Sequence, residues 1–182
     1  PGPRSSADHA ELRHTWWSPE TLGTTQWVQY EFDRPVRADA VEVYWYVDGQ
    51  GCSLPDQWRV LYRDGQAWKE VAPTAYGREV DRYNRTEFAA VESPAFRIEA
   101  TATQGKSVGI LEWRLLDGTT NLAARATPSA SYTDKFAGRI EGLHNTVLPQ
   151  TAIVTPSEVP APDATVLNSL DRQPWIDENL NP

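Results

Sequence analysis

The chain has 182 residues, of which 40% are hydrophobic, 23% charged and 10% aromatic, with 14 prolines and 11 glycines. This length suits about one domain, and this composition is that of a globular protein and not of a disordered chain. The net charge of −8 argues against nucleic acid or an anionic membrane as a partner. No apolar run approaches the roughly 20 residues that span a bilayer, and no signal-peptide pattern is seen at the start. The single cysteine, Cys52, excludes an intrachain disulfide framework and a cysteine-rich metal cluster.

The predicted strands lie in the first 117 residues. Within 27–32, Val28, Tyr30 and Phe32 share one face, and within 40–46 the apolar residues alternate in the same way. Further strands are predicted at 58–62, 68–71, 87–88, 96–100 and 110–115, and turn signals separate them at 33–35, 48–49, 64–65, 93–94, 104–105 and 117–118. Short strands at such regular spacing predict an all-β fold, an antiparallel sandwich or barrel.

The chain is unevenly built along its length. Residues 1–117 contain 16 of the 19 aromatic residues, whereas six of the 14 prolines lie at position 149 or later. We therefore expect a main β-sandwich module at 1–117, a segment of different character at 118–149, and an extended, proline-rich C-terminal stretch at 150–182.

Six ordered segments resemble a known family. They are 13–17 (RHTWW), 26–32 (QWVQYEF), 41–45 (VEVYW), 58–62 (WRVLY), 83–85 (YNR) and 109–114 (GILEWR). In this order they resemble the discoidin-like (F5/8 type C) modules appended to bacterial glycoside hydrolases, in particular those beside catalytic domains of the β-L-arabinofuranosidase kind. The resemblance covers about residues 5–116 and implies an antiparallel jelly-roll β-sandwich. It says less about the ligand, because modules of this superfamily bind galactosides, other glycans, lipids or proteins.

The order of the segments departs from this family in one respect. The family's opening strand and loop are absent from the N-terminus and are found at 121–131 (NLAARATPSAS) and 143–149 (LHNTVLP). Two explanations remain open at this point. The chain is either a circularly permuted module, whose first strand comes from the C-terminal side, or a piece of a tandem array that ends one module and begins the next. The permuted order requires residues 121–149 to pair with the strands of 27–46.

The resemblance also implies one structural calcium ion. Glu112 and Thr15 match the family's Glu and Thr ligands, Asn145 stands where the family usually has Asp, and Asp8 is a further candidate ligand. Hard oxygen ligands of this kind suit Ca²⁺. The alternative is that Glu112 is an ordinary strand carboxylate and Asn145 a turn residue.

A sugar site needs an aromatic platform and a few planar hydrogen-bonding groups. The sequence offers Trp17, Tyr46 and Tyr83 as aromatic residues near loops. Arg13, His14, Asn84 and Arg85 are the predicted polar contacts. The remaining tryptophans in strand patterns are expected in the core, and these are Trp16, Trp27, Trp45, Trp58 and Trp113.

The function implied by these residues is non-catalytic. No serine elbow or Ser-His-Asp set is recognisable, and the carboxylates alternate along strands, where charges usually mark the solvated face. The resemblance implies a module that binds a plant or microbial glycan of the arabinose or galactose type weakly, attached to the catalytic domain of a secreted, extracellular glycoside hydrolase. The alternative is a structural module that packs against the catalytic domain without binding free sugar. Glycan binding predicts an open cleft lined by aromatic, Arg and His side chains at one end of the sandwich, whereas the structural alternative predicts that this end is filled.

Overall fold

Eight antiparallel strands and two short 3-10 helices form the regular structure of residues 3–9, 13–16, 23–134 and 139–144, which the computed structural model describes. The strands are β1 (His14–Thr15), β2 (Thr25–Tyr46), β3 (Gln57–Asp64), β4 (Ala67–Glu70), β5 (Tyr83–Thr101), β6 (Gly109–Asp117), β7 (Thr120–Asn121) and β8 (Thr127–Ala130). The 3-10 helices are η1 (Ala123–Arg125) and η2 (Ile140–His144). None of the helices in the described ranges is long and apolar enough to cross a membrane. The contacts within the chain group its residues into two units, Pro1–Pro149 and Gln150–Pro182. The second unit, which contains the predicted proline-rich stretch, lies outside the described residues.

The long strands β2 and β5 form the backbone of a two-layered β-sandwich. In the first layer, residues 25–31 of β2 lie between residues 95–101 of β5 and strand β8, while β3 and then β4 continue the sheet beyond β5. In the second layer, residues 36–46 of β2 lie between residues 83–93 of β5 and strand β6, with β1 and β7 beyond β6. This architecture confirms the all-β antiparallel sandwich predicted from the alternating pattern.

Both long strands pass from one layer to the other at the same point. The pairing of β2 with β5 is irregular between Glu31 and Val36, and Ser93 is the partner of Val36 on β5. The turn signals at 33–35 and 93–94 predict that the chain ends a strand here, which would give four separate strands. The chain instead continues through, because bulges and proline bend a strand without ending it and form the corner of a sandwich.

The core lies between the two layers and is rich in aromatic residues. Tyr30 of the first layer stacks on Trp113 of the second, with ring centroids 3.9 Å apart. Trp45 of the second layer meets Trp58 of the first edge to face at 5.3 Å. These three tryptophans and Trp16 are buried as predicted, whereas Trp27 is half-buried on the outer face of the first layer.

The segment after residue 117 belongs to the same sandwich in its described part. Strand β8 pairs antiparallel with β2, with Val28 opposite Ala130 and Glu31 opposite Thr127. Leu122, Ala123 and Leu143 are buried in the common core. This is the pairing that the permuted order requires.

Candidate functional site

The N-terminal segment covers one part of the predicted sugar site. Tyr46 is 2% exposed, its hydroxyl is hydrogen-bonded to His9 Nδ1 at 2.8 Å, and the Arg13 guanidinium lies 4.7 Å from the centre of its ring. Ser6 fixes this segment through its carbonyl, which accepts from Val47 N at 2.8 Å, and through reciprocal hydrogen bonds with Asp81. Burial raises the pKa of the Tyr46 hydroxyl, although the Arg13 charge opposes the shift. The Tyr46 ring is therefore packed against the protein's own chain.

Two further predicted sugar contacts, His14 and Asn84, are buried inside the protein. His14, on β1, is fully buried with its ring edge to face with Trp16, and burial lowers its pKa to about 4. Asn84 is 4% exposed, and its amide holds the loop before β5 together: Nδ2 donates to the Glu79 carbonyl at 2.9 Å and Oδ1 accepts from the Glu79 backbone N–H at 2.8 Å. Neither side chain presents a free polar group to solvent.

Tyr83 and Arg85 lie on the outer face of the second layer, in a closed network of hydrogen bonds. Arg114 stacks over the Tyr83 ring at 4.0 Å and donates to the Tyr83 hydroxyl at 2.7 Å and to Glu112 Oε1 at 2.8 Å. The Tyr83 hydroxyl donates a short hydrogen bond to Glu112 Oε2, and burial followed by this bond raises the pKa of Tyr83 well above its usual value. Arg85 is paired with Glu42 at 3.1 Å. We call this group the second-layer cluster.

The proposed calcium ligands differ in how well their surroundings suit a cation. Thr15 is 2% exposed and its Oγ1 has no hydrogen-bond partner among the described residues, which suits a metal ligand. Both oxygens of Glu112 are instead occupied, one by the Arg114 guanidinium and the other by the Tyr83 hydroxyl. The described ranges contain no group of three or more His, Cys, Asp or Glu side chains placed to hold a metal ion, and Asp8 belongs to no such group. Ca²⁺ takes six to eight oxygen ligands, so an ion beside Thr15 would need further oxygens such as backbone carbonyls, and the calcium site stays a prediction.

Trp17 and Asn145 lie outside the described residues. For these two positions the predictions of a sugar platform and of a calcium ligand stay predictions.

The outer face of the first layer contains a groove that the sequence analysis did not identify. It has a volume of about 570 Å³ and is open to solvent. Its walls come from β2, β3, β4, β5 and the loops at 55–56 and 76–78, and its chief lining residues are Trp58, Arg59, Glu70, Tyr76, Arg78 and Glu99.

Ion pairs and hydrogen bonds hold the groove's polar groups in place. Arg59 donates to Glu99 Oε2 at 2.7 and 2.9 Å and lies 3.6 Å from Glu70, and its hydrogen bond with Glu99 raises its pKa further. Tyr76 O–H lies 3.3 Å from Glu70, while Arg78 donates to the backbone carbonyl of Asp56 at 2.6 Å. The groove thus combines an aromatic wall with planar donors and acceptors.

A stack of three side chains borders this groove. The Arg97 guanidinium lies between two indoles, 4.2 Å from the centre of Trp27 and 4.1 Å from that of Trp68. Strict alternation could have found this stack, because if Val28 and Tyr30 point inward then Trp27 must point outward. The prediction that Trp27 is in the core is wrong, because Trp27 alternates with the buried Val28 and so lies on the outer face of β2.

Comparison with known proteins gives similarity only among solved structures. No family model matches the chain, and no curated protein matches it. A chain of the Streptococcus pneumoniae β-galactosidase BgaA is 16% identical, with a TM-score of 0.53 over 59% of this chain and 80% of that one. Chitosan-binding module 1 of a chitosanase/glucanase from Paenibacillus sp. IK-5 is 12% identical, with a TM-score of 0.45 over 62% and 86%. A pectin-binding carbohydrate-binding module is 14% identical, with a TM-score of 0.39 over 59% and 90%. At this identity the likeness to the β-galactosidase chain concerns the fold: this chain has a β-sandwich shared with a part of that enzyme.

Proposed function

We propose that this chain is a non-catalytic carbohydrate-binding module whose ligand lies in the groove of the first layer. The observation that carries the proposal is the composition of this groove. Tyr76 supplies an aromatic surface for the C–H face of a sugar, and the guanidinium groups of Arg59 and Arg78 are planar donors for hydroxyls. The Glu70 and Glu99 carboxylates supply acceptors on the same walls. Because these groups are already held by ion pairs and hydrogen bonds, less side-chain entropy is lost when a ligand binds.

The fold adds support to this proposal. A similar sandwich forms part of the β-galactosidase BgaA, and this agrees with the resemblance of the sequence to discoidin-like modules of glycoside hydrolases. On this basis we propose a secreted parent glycosidase, in which the module keeps a catalytic domain close to its substrate. Such tethering raises the effective concentration of substrate without adding a chemical step.

The carboxylates of the groove favour binding over hydrolysis. A glycosidase needs one carboxylic acid that carries a proton and a second carboxylate free to act on the sugar or on water. Glu70 and Glu99 instead face the same guanidinium, that of Arg59. Both carboxylates are therefore engaged in charge pairs, which suits acceptors of hydroxyl hydrogen bonds.

Calorimetric titration with soluble arabinan, galactan and xylan tests the proposal. A single site of this kind should bind with a Kd on the order of 0.1–1 mM. We expect Arg78→Ala to weaken binding about tenfold, because the variant removes an exposed donor from the groove. The matched control is Arg85→Ala, an exposed arginine of the second-layer cluster, which should leave the Kd unchanged. Absence of saturable binding to every polysaccharide in the folded protein would overturn the proposal, and loss of binding in Arg85→Ala alone would move the site to the second layer.

One observation favours the alternative of a structural module. The end of the sandwich at which an open cleft was expected is occupied by the protein's own residues 3–9 and by Arg13, and Tyr46 is covered by His9 and by the Arg13 guanidinium. A module that packs against a catalytic domain without binding sugar would show no heat with the three polysaccharides. The same titration therefore separates the two functions.

A further inference from the structure

We infer that the ligand of the groove is an internal stretch of a neutral polysaccharide, and that Trp27 and Trp68 form a second subsite beside the groove. This inference rests on the proposed function. It adds the chemical class of the ligand and a binding surface on the face of the sheet, away from the loop end where the sequence analysis expected the site.

The second subsite is a diagonal row of side chains across the first layer. Trp27 is on β2, Arg97 on β5 and Trp68 on β4, and both indoles are half-buried, so part of each remains accessible. Arg97 is fixed between them, since it also donates to Gln29 Oε1 at 2.7 and 3.1 Å. Leu61, opposite Arg97 in the register, is buried in the same face. The row thus presents two pre-oriented aromatic groups at little cost in side-chain entropy.

The row and the groove form one continuous surface. Trp27 is directly opposite Glu99 in the strand register, and Glu99 lines the groove. Arg97 is two residues before Glu99 on the same face of β5, and their charged groups are 3.9 Å apart. Neighbouring strands are about 4.8 Å apart and alternate residues about 7 Å apart, so a single sugar ring cannot cover both the groove and the two indoles. A ligand that contacts both must therefore contain several linked sugars. Because the groove is open to solvent, such a ligand can extend out of it.

The charges of this surface favour a neutral chain. Arg59 is paired with Glu99 and Glu70, and Arg63 is paired with Glu31 at 3.0 Å. Across the groove and the row, the three arginines Arg59, Arg78 and Arg97 are matched in number by the three carboxylates Asp56, Glu70 and Glu99, and the whole chain carries a net charge of −8. An anionic polysaccharide would have to displace those carboxylates or approach them, which costs Coulomb energy. Hydroxyl groups can bind to the paired groups without breaking them.

A series of oligosaccharides of increasing length tests the inference in the whole 182-residue chain. Titration with arabino- or galacto-oligosaccharides from di- to hexasaccharide should show affinity that rises about tenfold with length, because the longer chains reach the tryptophans. In Trp68→Ala and in Trp68→Leu, which keeps an apolar side chain at this position, we expect this rise to disappear while disaccharide binding persists. Tyr83→Ala, which removes a partly exposed aromatic residue of the second-layer cluster, should keep the full rise. Polygalacturonate should not bind, and the Kd for the neutral chain should not change with salt.

The outcomes separate this inference from the proposed function. Equal affinity for di- and hexasaccharides, or a length dependence that both Trp68 variants retain, overturns the second subsite and leaves the groove as the site. Preferential binding of polygalacturonate overturns the neutral ligand. Absence of binding by every probe overturns both the inference and the proposed function.

Discussion

Tyr30 and Trp113 join the two layers of the sandwich through the faces of their rings, which are 3.9 Å apart and inclined by only 7°. The Tyr30 hydroxyl reaches past the indole and lies 2.9 Å from the Trp113 carbonyl and 2.8 Å from the Leu143 carbonyl. One buried side chain thus connects β2, β6 and η2. Burial raises the pKa of this hydroxyl well above its usual value, so it remains a donor throughout the physiological range.

Removing this hydroxyl should destabilise the protein. In Tyr30→Phe the stacked ring remains, but the single O–H within reach of both buried carbonyls is lost, and we expect the free energy of unfolding to fall by about 1–3 kcal/mol. Urea unfolding followed by tryptophan fluorescence measures the change. Tyr62→Phe, at a partly buried tyrosine packed against the core, is the control and should cost less. Equal losses in the two variants would contradict the assigned role.

His14 should make stability depend on pH. Because burial lowers its pKa from 6.5 to about 4, the unfolded chain binds a proton over a range in which the folded protein does not. The contribution of His14 to the free energy of unfolding is therefore fully present above pH 6.5. It is lost as the pH falls from 6.5 through about 4, and the total loss is about 3 kcal/mol. The free energy of unfolding measured across this range should have a flatter slope in His14→Leu. His9→Gln, at an exposed histidine, should keep the slope of the parent protein. An unchanged slope in His14→Leu would show that other groups set the acid response.

Asn84 should matter for stability more than for sugar binding. Its Nδ2 lies within 2.9–3.3 Å of the carbonyls of Val43, Glu79 and Arg82, so Asn84→Ala leaves buried groups unpaired and should cost about 2–4 kcal/mol. Asn84→Asp should cost at least as much, since a carboxylate would face three carbonyl oxygens. The control Asn121→Ala removes a single hydrogen bond to Ala123 N–H and should cost about 1 kcal/mol. Unchanged melting in Asn84→Ala, together with loss of glycan binding, would return Asn84 to the role of a ligand contact.

A test with chelator addresses the calcium prediction. A calcium ion held by Thr15 and Glu112 would raise the melting temperature by mass action, and the rise would vanish in Glu112→Gln. Because Glu112 is bonded to Arg114 and Tyr83, the ion would have to displace the guanidinium. Freeing the carboxylate in Arg114→Ala should therefore enhance the response to calcium. A melting temperature that is the same with calcium and with chelator, in the parent protein and in Arg114→Ala, would exclude the site.

The alternation of side chains was sufficient to predict the strands and the sandwich. Val28, Tyr30, Val41, Val43 and Trp45 all point into the core as the pattern indicated, because one buried face per strand leaves a clear period of two. The pattern did not show that β2 and β5 continue through Pro35 and Pro94. In sequence, a proline at the corner of a continuous strand cannot be told from a proline in a turn. The difference depends on whether a partner strand pairs with the residues on both sides of the proline.

The candidate site was harder to predict for a physical reason. Tyr46 has the residue type of a sugar contact, but the distant N-terminal segment covers it, as its hydrogen bond with His9 shows. Local sequence cannot reveal such cover. The groove likewise joins residues of four strands and the Trp27–Arg97–Trp68 stack residues of three, and the register of these strands follows from the fold as a whole.

The pairing of β8 with β2 has a consequence for synthesis on the ribosome. Val28 gains its β8 partner only once Ala130 has been translated, and the Tyr30 hydroxyl, which also reaches the Trp113 carbonyl, meets the Leu143 carbonyl later still. The first layer therefore keeps an unpaired edge, and the core an open side, until more than a hundred further residues have been translated. We expect the nascent chain to need protection of that edge, and folding to finish in a late step as β8 and η2 close the sandwich.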